Sequence, residues 1–432
     1  MGCPFTARIL PPDGRSGENR YPPWQLDSWQ EGPTIQQTKW ISETSLPQAI
    51  DRIWTARKGV EKMVTLRIPK FLLNLMISIR AVLLTLILLE LGARIWLNHF
   101  ASPEDYIRYA LYTDIDPSAF RWTGHHYLNY YPSPNYHKDG TVHNSLGYRG
   151  DEFSIEKPAG VFRIVALGGS TVYTEKVKDN TQTFTAQLES ILRRQYGYTN
   201  IQVINAGVPG YTSWESLINL EFRVLDLQPD LIIIYQNTND VTARLVDPQA
   251  YRGDNSGYRK QWSAPPVPWW EHSTLLRIVG RRQDWSEQIR LRDMVEAPTT
   301  INRSGGDPYA ALQQNKPVYF ERNLRNMIAV ARENGVAVML ATWAYAPGFD
   351  DYADRDYYQQ AFAEQNDIIR HLGQTHHVPV FDFAAQMPQD KRYWADGRHV
   401  NEAGARLKAE LFAAFIDQAG LISASPQPSA GP

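Results

Sequence analysis

The apolar pattern of this chain changes character twice. Residues 1 to about 62 carry no hydrophobic periodicity, and prolines at 4, 11, 12, 22, 23, 33 and 47 interrupt every candidate helix, which predicts a disordered segment. Over residues 71–89 polarity almost vanishes, Arg80 being the one charge in a stretch close to the length that crosses a hydrocarbon core. From Phe162 onward, short continuous apolar runs alternate with amphipathic stretches. The runs at 162–167, 201–204, 231–235, 336–341 and 378–381 read as strands buried on both faces, because half-exposed strands would alternate residue by residue. Between them the periodicity predicts helices near 183–196, 213–227, 318–334 and 356–375, and a last one over 402–418. Thr212-Ser213-Trp214-Glu215 opens the second helix with a capping-box pattern. Alternation of this kind predicts an α/β fold: a three-layer α/β/α doubly wound parallel sheet of about five strands, flavodoxin-like, preceded by one transmembrane helix.

The anchor is expected over residues 68–97. Leu, Ile, Phe and Val fill thirteen positions of 71–89, together roughly −4 to −8 kcal/mol of insertion free energy, against about 2.5 to 3.5 kcal/mol lost at Arg80. Moving the span toward Trp96 relieves Arg80 but admits Glu90 and Arg94, which stand four apart and can pair on a helix. A buried globular helix and a cleaved signal peptide are the competing readings, and no small-x-small cleavage pattern follows Leu89. Arg52, Arg57, Lys58, Lys62, Arg67 and Lys70 precede the span, against Arg94 and Arg108 after it. The positive-inside rule then leaves the N-terminus cytoplasmic and everything beyond about residue 100 periplasmic or at the cell surface.

Residues 98–142 read as a connecting region, 143–420 as the globular domain with an aromatic-rich insertion at 242–316, and 421–432 as a disordered tail. Composition narrows the function by exclusion. A formal net charge of −2 argues against bulk capture of nucleic acid, and the single cysteine, Cys3, excludes an internal disulfide framework and a cysteine zinc site.

Candidate chemistry lies in the loops that follow the strands. The first strand delivers Gly168-Gly169-Ser170-Thr171, the second Gly210-Tyr211-Thr212, the third Asn237-Thr238-Asn239-Asp240, and a late loop holds Asp396-Gly397-Arg398-His399. Serine is a weak nucleophile at neutral pH and needs a base, usually histidine oriented by a carboxylate. Three-residue spacing lets Asp396 reach one ring nitrogen of His399 and leaves the other for Ser170. The N–H groups of Ser170 and Gly210 and the side-chain amide of Asn239 are candidate oxyanion donors. In a doubly wound sheet all of these loops belong to one edge, where ligands bind.

Four loops in this order resemble those of the SGNH hydrolases, the GDSL-type esterase and lipase superfamily, over roughly residues 143 to 419, with the letters on Ser170, Gly210, Asn239 and His399. Asn144-Ser145-Leu146-Gly147-Tyr148-Arg149-Gly150 is similar to the lead-in of membrane-anchored bacterial members. The sequence departs from the family at Gly169, usually aspartate, and at Asn237, usually glycine. The resemblance implies a hydrolase of carboxylic esters that uses neither metal nor cofactor; some relatives transfer acyl groups to or from envelope glycans. The expectation is a membrane-tethered extracytoplasmic serine esterase acting on a lipid or envelope-glycan ester. An O-acetyltransferase or deacetylase of envelope polysaccharide and a non-catalytic glycan-binding subunit are the alternatives.

Other site types fit less well. Val172 stands where the nucleophile elbow of α/β-hydrolases needs glycine, and Gly168-Gly169 lacks the third glycine of a dinucleotide fingerprint. His376-His377 has no accompanying carboxylate at ligand spacing and reads as surface structure. Trp262, Trp269, Trp270 and Trp285, with Tyr251, Tyr258 and Tyr309, either pack the insertion or face a substrate. Trp343, Tyr345 and Trp394, next to predicted site loops, are the candidate substrate contacts.

Overall fold

The structure, a computed structural model, describes residues 69–125, 127–259, 267–283, 285 and 306–422. The disorder expected for residues 1–62 and for the tail from 423 onward lies outside them, as does Trp262. The chain divides at residues 79 and 80 into two units, within helix α1 (Lys70–His99). Among the described residues α1 is the one helix long and apolar enough to cross a membrane, and its apolar stretch is unburied.

The second unit is built on a parallel sheet of five strands: β1 (Phe162–Gly168), β2 (Ile201–Gly207), β3 (Leu231–Tyr235), β4 (Ala337–Ala341) and β5 (Val380–Phe381), in the order β2-β1-β3-β4-β5. This is the doubly wound topology, and its switch point falls between β1 and β3. Its principal helices are α2 (Phe184–Arg194), α3 (Ser213–Asn219), α4 (Thr274–Arg282), α5 (Val318–Glu333), α6 (Asp356–His376) and α7 (Glu402–Gln418). Alternate strand residues divide between two cores. Ile164, Ala166, Ile233 and Met339 pack with Phe184 and Leu188 of α2 and Phe412 and Ile416 of α7. Val165, Leu167, Ile232 and Leu340 pack with Leu324 and Met327 of α5 and with Leu220 and Val224 after α3. Both faces are covered, which is why the strands read as continuous apolar runs.

Three elements differ from the sequence expectation; the strand expected over 378–381 is reduced to Val380–Phe381, because Val378 N–H is taken by Gly373 O at the end of α6. β2 runs to Gly207 because the polar Asn205 is satisfied inside the fold, donating to Val172 O and accepting from Gly207 N–H at 3.1 Å each. The helix expected over 213–227 leaves α-geometry after Asn219 for a π-turn at Leu220–Val224 and a 3-10 turn at Leu225–Leu227. Residues 98–142 hold a helix (Pro103–Tyr109) and two hairpins (Trp122–His125 with Asn129–Pro132, His137–Lys138 with Thr141–Val142). Trp122, Leu128 and Tyr130 are buried against Tyr173, Val208 and Tyr211, so this segment covers the loops after β1 and β2.

Lys408 of α7 is buried with its ammonium nitrogen 4.0 Å from the centre of the Tyr235 ring and 4.3 Å from that of Phe184, and it donates to Thr171 O at 3.2 Å. Burial pushes its pKa well below the usual lysine value. Over the range between that depressed value and about 10.4 the unfolded chain binds a proton that the folded chain does not, so stability rises with pH. The variant Lys408→Met is expected to gain about 1 kcal/mol near neutral pH and to flatten that slope. Denaturant midpoints of the detergent-solubilised chain at several pH values test this; an unchanged slope in the variant would refute it.

Candidate active site

Ser170 opens a single helical turn, Ser170–Tyr173, directly after β1. Its backbone N–H is one of the first-turn donors that a helix leaves unpaired. The reversal is tight because Gly168 and Gly207 stand opposite each other in register. A Cβ on Gly168 would lie 2.4 Å from Tyr235 O and 2.5 Å from Val172 Cγ2, and one on Gly207 2.3 Å from Tyr173 N. The exit of the turn is held by Arg149 of the lead-in segment. Its guanidinium donates to Tyr173 O and Thr174 O at 2.9 Å, Val177 O at 2.6 Å and Lys178 O at 3.0 Å, satisfying four carbonyls at and beyond the end of the turn.

From the loop before α7, His399 brings Nε2 to 2.7 Å from Ser170 Oγ. Its Nδ1 lies 2.9 Å from both carboxylate oxygens of Asp396. Asp396 Oδ1 also accepts from the N–H groups of Arg398 at 2.9 Å and His399 at 2.8 Å. Burial by itself would raise Asp396; the bond and charge of His399, with those two N–H groups, prevail and hold its carboxyl well below the ordinary range. The loop is pinned at its base by Ala395 N–H donating to His399 O at 2.8 Å and by Asp351, which accepts from Gly397 N–H at 3.1 Å.

Gly210 has φ +84°, a left-handed conformation that favours glycine, and its N–H has no acceptor among the described residues. Asn239 donates one amide hydrogen to Tyr211 O at 2.8 Å, which orients the side chain and leaves its second hydrogen available. A Cβ at Gly169 would stand 2.6 Å from Asn239 Nδ2, so the amide lies against the residue preceding Ser170. The structure thus joins a serine, a histidine and an aspartate in one hydrogen-bonded chain, with Asn239 beside the serine turn.

The model of the GDSL-like lipase/acylhydrolase family matches residues 166–407, more than half of the chain and all of these loops. The chain belongs to this family. It is a hydrolase acting on ester bonds. Among solved structures it is similar to a lipase/acylhydrolase from Enterococcus faecalis at 20% identity, covering 60% of this chain and 97% of the other, with a TM-score of 0.37. A GDSL-like lipase from Bacteroides thetaiotaomicron gives 18%, 60%, 86% and 0.34, and a catalytic mutant of an acetylxylan esterase from Geobacillus stearothermophilus gives 14%, 60%, 96% and 0.37. No match was found among curated proteins.

Tyr130 and Arg259, which hold the GDSL-type loops, belong to no sequence motif. Tyr130 donates its hydroxyl to Pro209 O at 2.5 Å. That carbonyl shares a peptide plane with the Gly210 N–H and points the opposite way, so the bond fixes the direction of the N–H. Arg259, from the insertion, donates to Gly210 O and to the buried carboxylate of Glu215, and its guanidinium lies 5.9 Å from the centre of the Tyr130 ring. Glu215 also completes the expected capping box, accepting from Thr212 N–H at 2.8 Å. Next to Asn239, Asp240 accepts from Ser213 N–H at 3.0 Å and Ser213 Oγ at 2.6 Å; burial pushes its carboxyl up to about 7 against those bonds. The capping box was legible locally, whereas Tyr130 and Arg259 lie 79 and 49 residues from their carbonyl partners and carry no local signal.

The aromatic substrate contacts expected at 343 and 394 are corrected. Trp343 is 2% exposed and stacks on Tyr235 at 4.9 Å between ring centres, while Trp394 is 4% exposed and donates its indole N–H to Pro388 O. Adjacency to a site loop does not fix which way a side chain turns, and both turn into the core. Tyr345 is half-buried against Phe362 and lines, with an edge of Trp343, a cleft of about 140 Å³ that includes Gln359, Asn366 and Arg370 but none of the Ser170 group. His376 ends α6 and His377 caps it in the left-handed conformation. Among the described residues no cluster of His, Cys, Asp or Glu could hold a metal ion.

The variant Tyr130→Phe is expected to lower kcat on a soluble ester about 2- to 10-fold, the net worth of one hydrogen bond, with little change in KM. Arg259→Ala strands the buried Glu215 carboxylate and is expected to cost about 3–5 kcal/mol of stability. Steady-state kinetics and denaturant unfolding check the two, and a Tyr130→Phe enzyme of full kcat would remove the hydroxyl from the loop's orientation.

Proposed function

We propose that this GDSL-family hydrolase is a membrane-tethered, extracytoplasmic serine esterase in which Ser170 is the nucleophile. The observation that carries the reading is the unbroken chain from Ser170 Oγ through His399 to Asp396, with 2.7 Å and 2.9 Å links. His399 Nε2 takes the hydroxyl proton as Ser170 Oγ attacks the acyl carbon. The tetrahedral oxyanion is met by the N–H groups of Ser170 and Gly210 and the free amide hydrogen of Asn239. His399 then protonates the departing alcohol oxygen, the ester C–O bond breaks, and an acyl-serine remains. Water enters, gives its proton to His399 and attacks the acyl carbon; collapse releases the acid and returns the proton to Ser170. Asp396, held ionised, keeps the imidazole in the reactive tautomer and stabilises its cation.

The length and apolar composition of α1 support the tether, and the basic residues crowded before it support the extracytoplasmic side.

The test is hydrolysis of p-nitrophenyl esters of graded chain length by the full chain in detergent, with Ser170→Ala and Asp396→Asn beside it. Ser170→Ala is expected to lose about 1,000,000-fold in kcat and all labelling by a fluorophosphonate, and Asp396→Asn about 10,000-fold. Retained turnover in Ser170→Ala would reject the mechanism. Turnover that appears only when a sugar hydroxyl is supplied would identify an acyl transferase built on the same serine.

A further inference from the structure

Helix α4, inside the insertion, is amphipathic in the wrong sense for a water-facing surface. Its inward residues are Thr274, Arg277, Gly280 and Arg281, while Leu276 and Val279 stand outward at 40% and 38% exposure. The inward guanidiniums are fully used. Arg277 donates to Tyr109 O and Glu271 O at 2.5 Å each, and Arg281 to Arg108 O at 2.6 Å and Ala110 O at 2.9 Å. Flanking the helix, Trp269 is 82% exposed, and Trp285, tied back through its N–H to Gly280 O at 2.9 Å, is 65% exposed. Scattered exposed apolar residues are ordinary, but a helix that turns its arginines inward and its leucine and valine outward, bracketed by two open tryptophans, is not.

What covers this surface follows from where α4 begins. The carboxylate of Glu90 accepts from Ser273 Oγ at 2.7 Å and from the N–H groups of Thr274 and Leu275 at 2.9 Å each. Glu90 immediately follows the apolar run that ends at Leu89, so α4 is held at the level where the hydrocarbon of a spanned bilayer would stop. Arg94 is paired with Glu90, and Arg108 and Arg282, both open to solvent, supply positive charge that lipid phosphates attract; exposed tryptophan is characteristic of this depth.

We propose that residues 267–283 and Trp285 rest in the headgroup layer of the bilayer that α1 crosses, with Trp269, Leu276, Val279 and Trp285 reaching about 5–10 Å into the acyl boundary. The proposal rests on the single-pass anchor proposed above. The insertion is then a membrane-docking element that fixes how the esterase domain faces the lipid surface, and the same insertion supplies Arg259 to the Gly210 loop.

The full chain carrying Cys3→Ser, reconstituted into vesicles of phosphatidylethanolamine and phosphatidylglycerol, tests this with an environment-sensitive fluorophore on single cysteines. Leu276→Cys and Val279→Cys report on α4, Leu84→Cys on the anchor, and Glu333→Cys on a solvent-exposed position. Nitroxide lipids labelled at the headgroup and in the shallow acyl chain are expected to quench positions 276 and 279 at least twice as strongly as position 333, with emission shifted to the blue. Quenching at 84 with 276 and 279 indistinguishable from 333 would overturn the docking while leaving the anchor intact. Failure of deep-chain nitroxides to quench position 84 would overturn the anchor and the docking with it.

Discussion

At the carboxyl edge of the sheet Gly168 of β1 stands opposite Gly207 of β2, and the helical turn carrying Ser170 folds back across both. A side chain at either position would collide with backbone or with Val172, so the turn packs there only because two strand ends lack a Cβ at the same level. The rest of the site is arranged around that reversal. Gly169 lets the Asn239 amide lie against it, Arg149 gathers the carbonyls at its exit, and Lys408 reaches Thr171 O from behind. His399 then reaches Ser170 Oγ at 2.7 Å from the loop before α7.

Around this constraint the fold keeps charged groups out of water at considerable cost, and sets the main ones against partners. Glu215 and Arg259 are fully buried and meet beneath the Gly210 loop, where breaking the pair would leave a charge in low dielectric. Asp240 is buried beside them and offset by Ser213. Such networks hold one geometry well because the alternatives leave unpaired charge or orphaned carbonyls. The loops of the site are therefore held rigid by groups the reaction itself does not touch.

Residues 98–142 and the insertion after β3 serve this same end. The first contributes Tyr130 to Pro209 O, and the second contributes Arg259 to Gly210 O. Neither belongs to the repeating strand–helix pattern, and each reaches a loop of the site. The GDSL-type core carries the hydrogen-bonded Ser170, His399 and Asp396, and these added segments hold the Gly210 loop beside them.

The five parallel strands and their covering helices were legible because burial on both faces leaves an unbroken apolar run whatever the neighbours are. The positions of Ser170, Gly210, Asn239 and His399 were legible because each follows a strand or opens a helix, and strand ends in a parallel sheet share one edge. The capping box at Thr212 was legible because its partners lie within one turn. The direction of Trp343 and Trp394, the clamp of Tyr130 and Arg259 on one loop, and the outward face of α4 were not. Those depend on which segments far apart in the chain come to lie together, and a pattern read along the chain carries periodicity and local spacing but not the contacts that burial makes between distant residues.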